Sequence, residues 1–84
     1  MLIRQVNPTY PKIAQMAHVE GTVLLTAVID TQGRVTQLRT LSGHPLLIAA
    51  AVNAVQQWRY KPYILNGQAV EVETQVSVVF TLQH

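Results

Sequence analysis

Residues 70–83 read VEVETQVSVVFTLQ, and this stretch decides the fold. Side chains of an extended chain point alternately to opposite faces. Val70, Val72, Val76, Val78, Phe80 and Leu82 therefore share one side, while Glu71, Glu73, Gln75, Ser77, Thr81 and Gln83 share the other. A strand that is apolar on one side only belongs to a sheet with helices on one face and water on the other.

Two more strands precede it. Residues 21–30, GTVLLTAVID, are apolar and rich in β-branched residues, with Val23, Leu25, Ala27 and Ile29 on one face. Asp30 opens a turn through its side-chain acceptor, and Gly33 supplies the positive φ that closes a short hairpin. The partner strand, Val35 to Leu41, spaces Val35, Leu38 and Leu41 by three rather than two, which predicts a bulge or a strongly twisted edge.

Helices fill the intervals. Tyr10-Pro11 opens a short one with Pro11 at the first helical position, Ile13, Ala14 and Ala17 at helical spacing, and an end near His18. The second starts at Pro45, with Ser42 or His44 as its cap, and runs to about Trp58. Leu47, Ala50, Ala51, Ala54 and Trp58 form its apolar stripe, and Lys61-Pro62 ends it. Asn66-Gly67 marks a turn. The expected core is Val23, Leu25, Ile29, Leu47, Ala54, Trp58, Val76 and Phe80. Residues 1–9 lack a period and read as an extended arm, leaving residues 10–84 as the folded domain.

Strand direction gives the topology. The hairpin places the second strand antiparallel to the first, and a returning helix makes the third run with the second. An all-antiparallel sheet then has the order 2-1-3. The fold class is α+β: a three-stranded antiparallel sheet with two helices on one face. Its third strand is a long, regular edge whose unpaired main-chain groups a second chain can use.

Composition narrows the function. Eighty-four residues, 49% hydrophobic and 12% charged, make one packed domain rather than a disordered chain. The net charge of +2 is scattered, with no basic stripe to follow a nucleic-acid backbone. Without cysteine there is no disulfide, thiolate metal site or cysteine nucleophile. His18, His44 and His84 include no i,i+4 pair for a metal, and no serine or glycine-rich loop of the nucleophile type adjoins His18 or Glu20. No cofactor, nucleic-acid partner or catalysis is expected. Arg39, Arg59 and Lys61 are candidates for a basic patch facing an acidic partner or cell-wall polymer, weighed against an ordinary solvated face.

Tyr10-Pro11, Ala14, Glu20-Gly21, Val23, Asp30, Gly33, Val35, Ser42, Ala54, Trp58-Arg59-Tyr60 and Pro62, closed by the alternating strand through Phe80, form a pattern that resembles the TonB C-terminal domain family. The resemblance covers nearly the whole chain and implies the TonB/TolA C-terminal type of fold. It further implies a periplasmic end domain of an energy transducer, anchored in the inner membrane and coupled to motor proteins there through segments outside these residues. Such a domain grips TonB-dependent outer-membrane transporters, whose N-terminal box peptide adds as a strand. The sites implied are the edge at Glu73, Gln75, Val76, Ser77, Val78, Val79 and Phe80, and the segment Gln5, Val6, Asn7 and Pro8 before Tyr10. Asn7 stands where a known member has glutamine, and Lys61 where an acidic residue is common. The competing readings are a homodimer made through the same edge, and a structural or interaction module of another envelope or signalling protein.

Overall fold

In the computed structural model, which describes residues 2–82, the chain runs β1 (Leu2–Arg4), α1 (Lys12–Met16), β2 (Gly21–Ile29), β3 (Val35–Ser42), α2 (Pro45–Gln56), β4 (Arg59–Tyr60), β5 (Tyr63–Leu65), β6 (Gln68–Val70) and β7 (Val72–Phe80). The main sheet is antiparallel with the order β3-β2-β7. This is the 2-1-3 arrangement, with β7 at an edge. Val23 and Leu25 of β2 pack in one buried cluster with Val76, Val78 and Phe80 of β7 and with Ala14, Leu47, Ala51, Val55 and Trp58 of the covering layer, and Ala27, Ile29 and Ala54 are buried as well. Each fully buried large side chain, such as Leu25, Leu47 or Val55, contributes about 1.5–3 kcal/mol of transfer free energy.

The hairpin forms as its residue types require. Asp30 Oδ1 accepts from the main-chain N–H of Gln32 and Arg34, each at 2.9 Å, and Gly33 has φ 83. Twice, β3 contains one residue more than its partner: Leu24 and Leu25 match Ser42 and Thr40, and Thr26 and Val28 match Arg39 and Thr36. These are the bulges the three-residue spacing predicted, and Gln37 inside the second adopts φ 48.

Several boundaries differ from the sequence reading. Pro11 is the N-cap of α1 rather than its first helical residue, and α1 stops at Met16, with Ile13 and Ala17 exposed and Ala14 alone buried. Its end is a Schellman-type closure: Val19 N–H bonds Ala14 O, His18 N–H bonds Gln15 O, and His18 takes the left-handed position at φ 55. Helix α2 ends at Gln56, well before Lys61-Pro62, because the N–H groups of Gln57 and Trp58 turn back to Ala54 O and Val55 O. That tight last turn drives Trp58 into the core and frees Arg59-Tyr60 to become a strand. Ala50 of the expected stripe is half-buried, whereas Val55 is fully buried. Of the two cap candidates His44 caps α2, its Nδ1 accepting from Leu46 N–H at 3.1 Å.

The long terminal strand is also divided. Val70 belongs to β6, which pairs with β5 around the Asn66-Gly67 turn (φ 52 and 79). Strand β7 ends at Phe80, Leu82 lies beyond it, and Gln83 falls outside the described residues. The arm is extended, and its start pairs with β4 through Leu2↔Tyr60 and Arg4↔Arg59. The Trp58 indole N–H donates to Val6 O at 2.9 Å, a bond between groups 52 residues apart that ties the arm over the core.

Candidate strand-addition edge

Whether β7 can accept a strand depends on which of its main-chain groups point outward. Along an antiparallel strand, successive residues direct N–H and C=O alternately to either side. In β2, Val28 O accepts from Thr36 Oγ1 of β3 at 3.1 Å, and Asp30 N–H donates to Arg34 O at 2.9 Å. The even-numbered residues of β2 therefore face β3, and the odd-numbered ones face β7. Their partners across the register are Val72, Thr74, Val76, Val78 and Phe80. At the far end Leu82 N–H points the same way, donating to Glu20 Oε1 at 2.6 Å. The remaining residues, Glu73, Gln75, Ser77 and Val79, direct their N–H and C=O groups to the open edge.

Side chains sort by the same alternation. Glu73, Gln75, Ser77 and Val79 are exposed, Val79 at 62%. Val76, Val78 and Phe80 are buried in the core, so the seven edge residues singled out in the sequence divide into two functional sets. Only the odd-numbered set presents both side chain and main chain to a neighbour. The β2–β7 register runs unbroken from Gly21↔Phe80 to Ile29↔Val72, which keeps this edge straight.

The second sequence-predicted segment lies elsewhere. Val6 and Asn7, with Thr9, line a notch of about 400 Å³ against Ala50, Asn53, Ala54 and Gln57 of α2. Gln5 is exposed and Pro8 half-buried outside that lining. The arm meets β7 at Tyr10, whose ring packs edge-on to Phe80 with centroids 5.4 Å apart and whose hydroxyl donates to Val19 O. Desolvation, and then the nearby Glu20 charge, raise the Tyr10 pKa.

The basic candidates are spread out. Arg59 bridges Arg34 at the hairpin end, and its Nη1 donates to Trp58 O at 2.9 Å. Arg39 lies on β3 opposite Thr26, four β2 residues from the Asp30–Arg34 end of the hairpin and so about 13 Å away at strand rise, and Lys61 follows β4. Desolvation by burial raises the Tyr60 pKa. Arg34 pairs with Asp30 at 3.0 Å; the Asp30 carboxyl lies below its ordinary value chiefly through the Arg34 N–H bond, with Gln32 N–H and the Arg34 side chain adding to it against some desolvation. Sequence reasoning missed the β1–β4 pair, the β5–β6 hairpin and a second duty of Gly33. A Cβ at Gly33 would lie 1.9 Å from Tyr60 O, and Tyr60 N–H donates to Gly33 O at 2.8 Å. Asn66-Gly67 was the available signal for the hairpin. His18 and His44 serve helix ends as described above, and His84 lies outside the described residues.

These features define a small α+β domain with a helical layer on one face and one open, regular sheet edge. Residues 6–82 match the family described as Gram-negative bacterial TonB protein C-terminal, and the chain belongs to that family. It is 37% identical over 81 residues to Protein TonB of Vibrio cholerae, covering 94% of this chain and 33% of that protein. To Protein TonB of Xanthomonas campestris it is 34% identical over 77 residues, covering 89% of this chain and 34% of the relative. The chain thus spans about a third of the length of these relatives. Its fold matches the solution NMR structure of the Pseudomonas aeruginosa TonB CTD, with a TM-score of 0.83 and 24% identity over 100% of this chain and 87% of that one.

Proposed function

We propose that this domain is the periplasmic, receptor-binding end of a TonB-type energy transducer, and that it takes the N-terminal box of an outer-membrane transporter as an added strand on β7. It catalyses nothing itself; it transmits force from inner-membrane motor proteins engaged by other parts of the protein. The observation that carries this reading is the unbroken β7 edge, with Glu73, Gln75, Ser77 and Val79 directing main-chain groups outward. Strand addition draws affinity from such groups and specificity from alternate side chains. The arm residues Gln5, Val6, Asn7 and Pro8 make a second contact, and Arg39, Arg59 and Lys61 remain on the solvated surface.

Proline scanning of β7 tests the reading. Ser77→Pro removes an outward N–H and keeps the β2 ladder, so it folds with a native circular dichroism spectrum. Binding of a transporter box peptide, measured by titration, then weakens by at least about 1 kcal/mol, the net worth of one hydrogen bond. Val78→Pro removes an N–H directed at β2 and empties a core position, so it loses native structure. Unchanged peptide affinity in folded Ser77→Pro would sink strand addition. The same variant separates a homodimer made through this edge, because sedimentation of the free domain then changes with the same substitution.

A further inference from the structure

Strand pairing gathers three arginines that lie far apart in the sequence. Arg59 of β4 is paired on one side with Arg4 of β1 and on the other with Arg34, the residue before β3. Residues directly opposite in antiparallel strands carry their side chains on one face. Here it is the face away from the core: Leu2, Tyr60 and Val35 pack against the buried cluster, whereas Arg4, Arg59 and Arg34 are exposed. Arg4 reaches that face through the bulge in β1, where Leu2 pairs with Tyr60 and Arg4 with Arg59, leaving Ile3 as the extra residue. Neighbouring strands lie about 4.8 Å apart, so the three Cα atoms form a row about 10 Å long. Arg34 Nε donates to Asp30 Oδ2 at 3.0 Å, and Asp30 Oδ1 is taken by the N–H groups of Gln32 and Arg34. Arg59 Nη1 donates to Trp58 O at 2.9 Å, which anchors its guanidinium. Neither Arg4 nor Arg59 has an ion pair among the described residues, and residues 31–70 contain no carboxylate. Like charges directly opposite are destabilising, so the row holds two uncompensated guanidiniums side by side.

We infer that this row is an anion site that takes a phosphate group between Arg4 and Arg59, with Arg34 at its flank. The row already binds one oxyanion of its own, since Asp30 satisfies Arg34. A second carboxylate would offset only one of the two remaining charges. A phosphate monoester carries about −1.5 to −2 near pH 7 and three acceptor oxygens, which suffices for both guanidiniums. The planar fork of arginine takes such oxygens in pairs. The row lies beyond β3, on the opposite side of the central sheet from β7, so a bound phosphate leaves the strand-addition edge free. Free phosphate and a phosphorylated lipid headgroup present the same chemistry to it.

The test titrates inorganic phosphate into the chain near pH 7 at constant ionic strength, followed by NMR. The main-chain amides of Arg4, Arg34 and Arg59 are expected to shift with one dissociation constant, and the melting temperature to rise with phosphate concentration. Arg4→Gln, a change at an exposed position, keeps the fold and weakens phosphate binding about 3- to 10-fold. Arg4→Glu places a carboxylate opposite Arg59, so it is expected to melt above the parent in chloride and to lose the response to phosphate. Phosphatidylcholine vesicles carrying phosphatidic acid separate the sources. Vesicle binding that Arg4→Gln abolishes, at phosphate concentrations where the free anion binds less tightly, assigns the group to a lipid surface; binding of inorganic phosphate without vesicle binding assigns a soluble anion. Succinate shifting the same amides as strongly as phosphate, or Arg4→Gln binding phosphate as the parent does, overturns the site.

Discussion

The two edges of the central sheet come from neighbours of the same strand, yet they differ in what they offer a second chain. Along β7, nine residues meet β2 in unbroken register and leave a straight row of main-chain groups outside. Along β3, two extra residues and the left-handed Gln37 bend the ladder, and Arg39 projects from it. Bulges and charge are the usual means by which a sheet blocks unwanted pairing. The comparison teaches that this fold closes one edge by irregularity and keeps the other open by regularity. Sequence marked both, through the spacing of three in β3 and of two in β7.

The largest perturbation removes the floor beneath both edges. Trp58 is 6% exposed and holds the arm through Val6, so Trp58→Ala is expected to cost about 3–5 kcal/mol by chemical denaturation. Melting within a degree or two of the parent would place Trp58 outside the core. Gly33→Ala attacks the β3 side alone. Its Cβ meets Tyr60 O while the backbone holds φ 83, and strain plus overpacking amount to about 2–4 kcal/mol. Hydrogen exchange is expected to speed up at the Tyr60 amide while the β2-facing amides of β7 stay protected. Uniform loss across both regions would show the edges to be one cooperative unit.

Gln37→Gly sharpens the comparison in the opposite direction. Glycine takes φ 48 without a Cβ penalty, so the bulge survives and stability rises by up to about 1 kcal/mol. A loss of stability would mean that the Gln37 side chain, rather than the bend, matters at this edge. The smallest effect concerns the hairpin that joins β2 to β3. Asp30 has a folded pKa below its ordinary value, so its contribution is complete above that value and disappears as pH falls through the depressed one. Asp30→Asn therefore flattens the acid limb of the stability curve and leaves the alkaline limb unchanged, as followed by melting from pH 7 downward. An identical acid limb in both proteins would remove Asp30 from the account.

By itself the sequence determined the α+β class, the strand order and the buried faces of β2 and β7, because pleat alternation, helical spacing and turn chemistry act over a few residues and are written there directly. It also marked β7 as an edge, since strand order follows from direction. Only the tertiary structure decided which β7 residues turn their main chain outward. Alternation places side chains, but it takes the bond from Thr36 to Val28 O and the one from Leu82 to Glu20 to say which side of the strand is already paired. It likewise decided that α2 stops at Gln56, because burial of Trp58 outweighs the remaining helical turn, and that Leu2–Arg4 pairs with Arg59–Tyr60. Those choices join residues more than 50 positions apart, as the Trp58–Val6 bond does. No local pattern records them, for their free energy exists only once the core has brought both partners together.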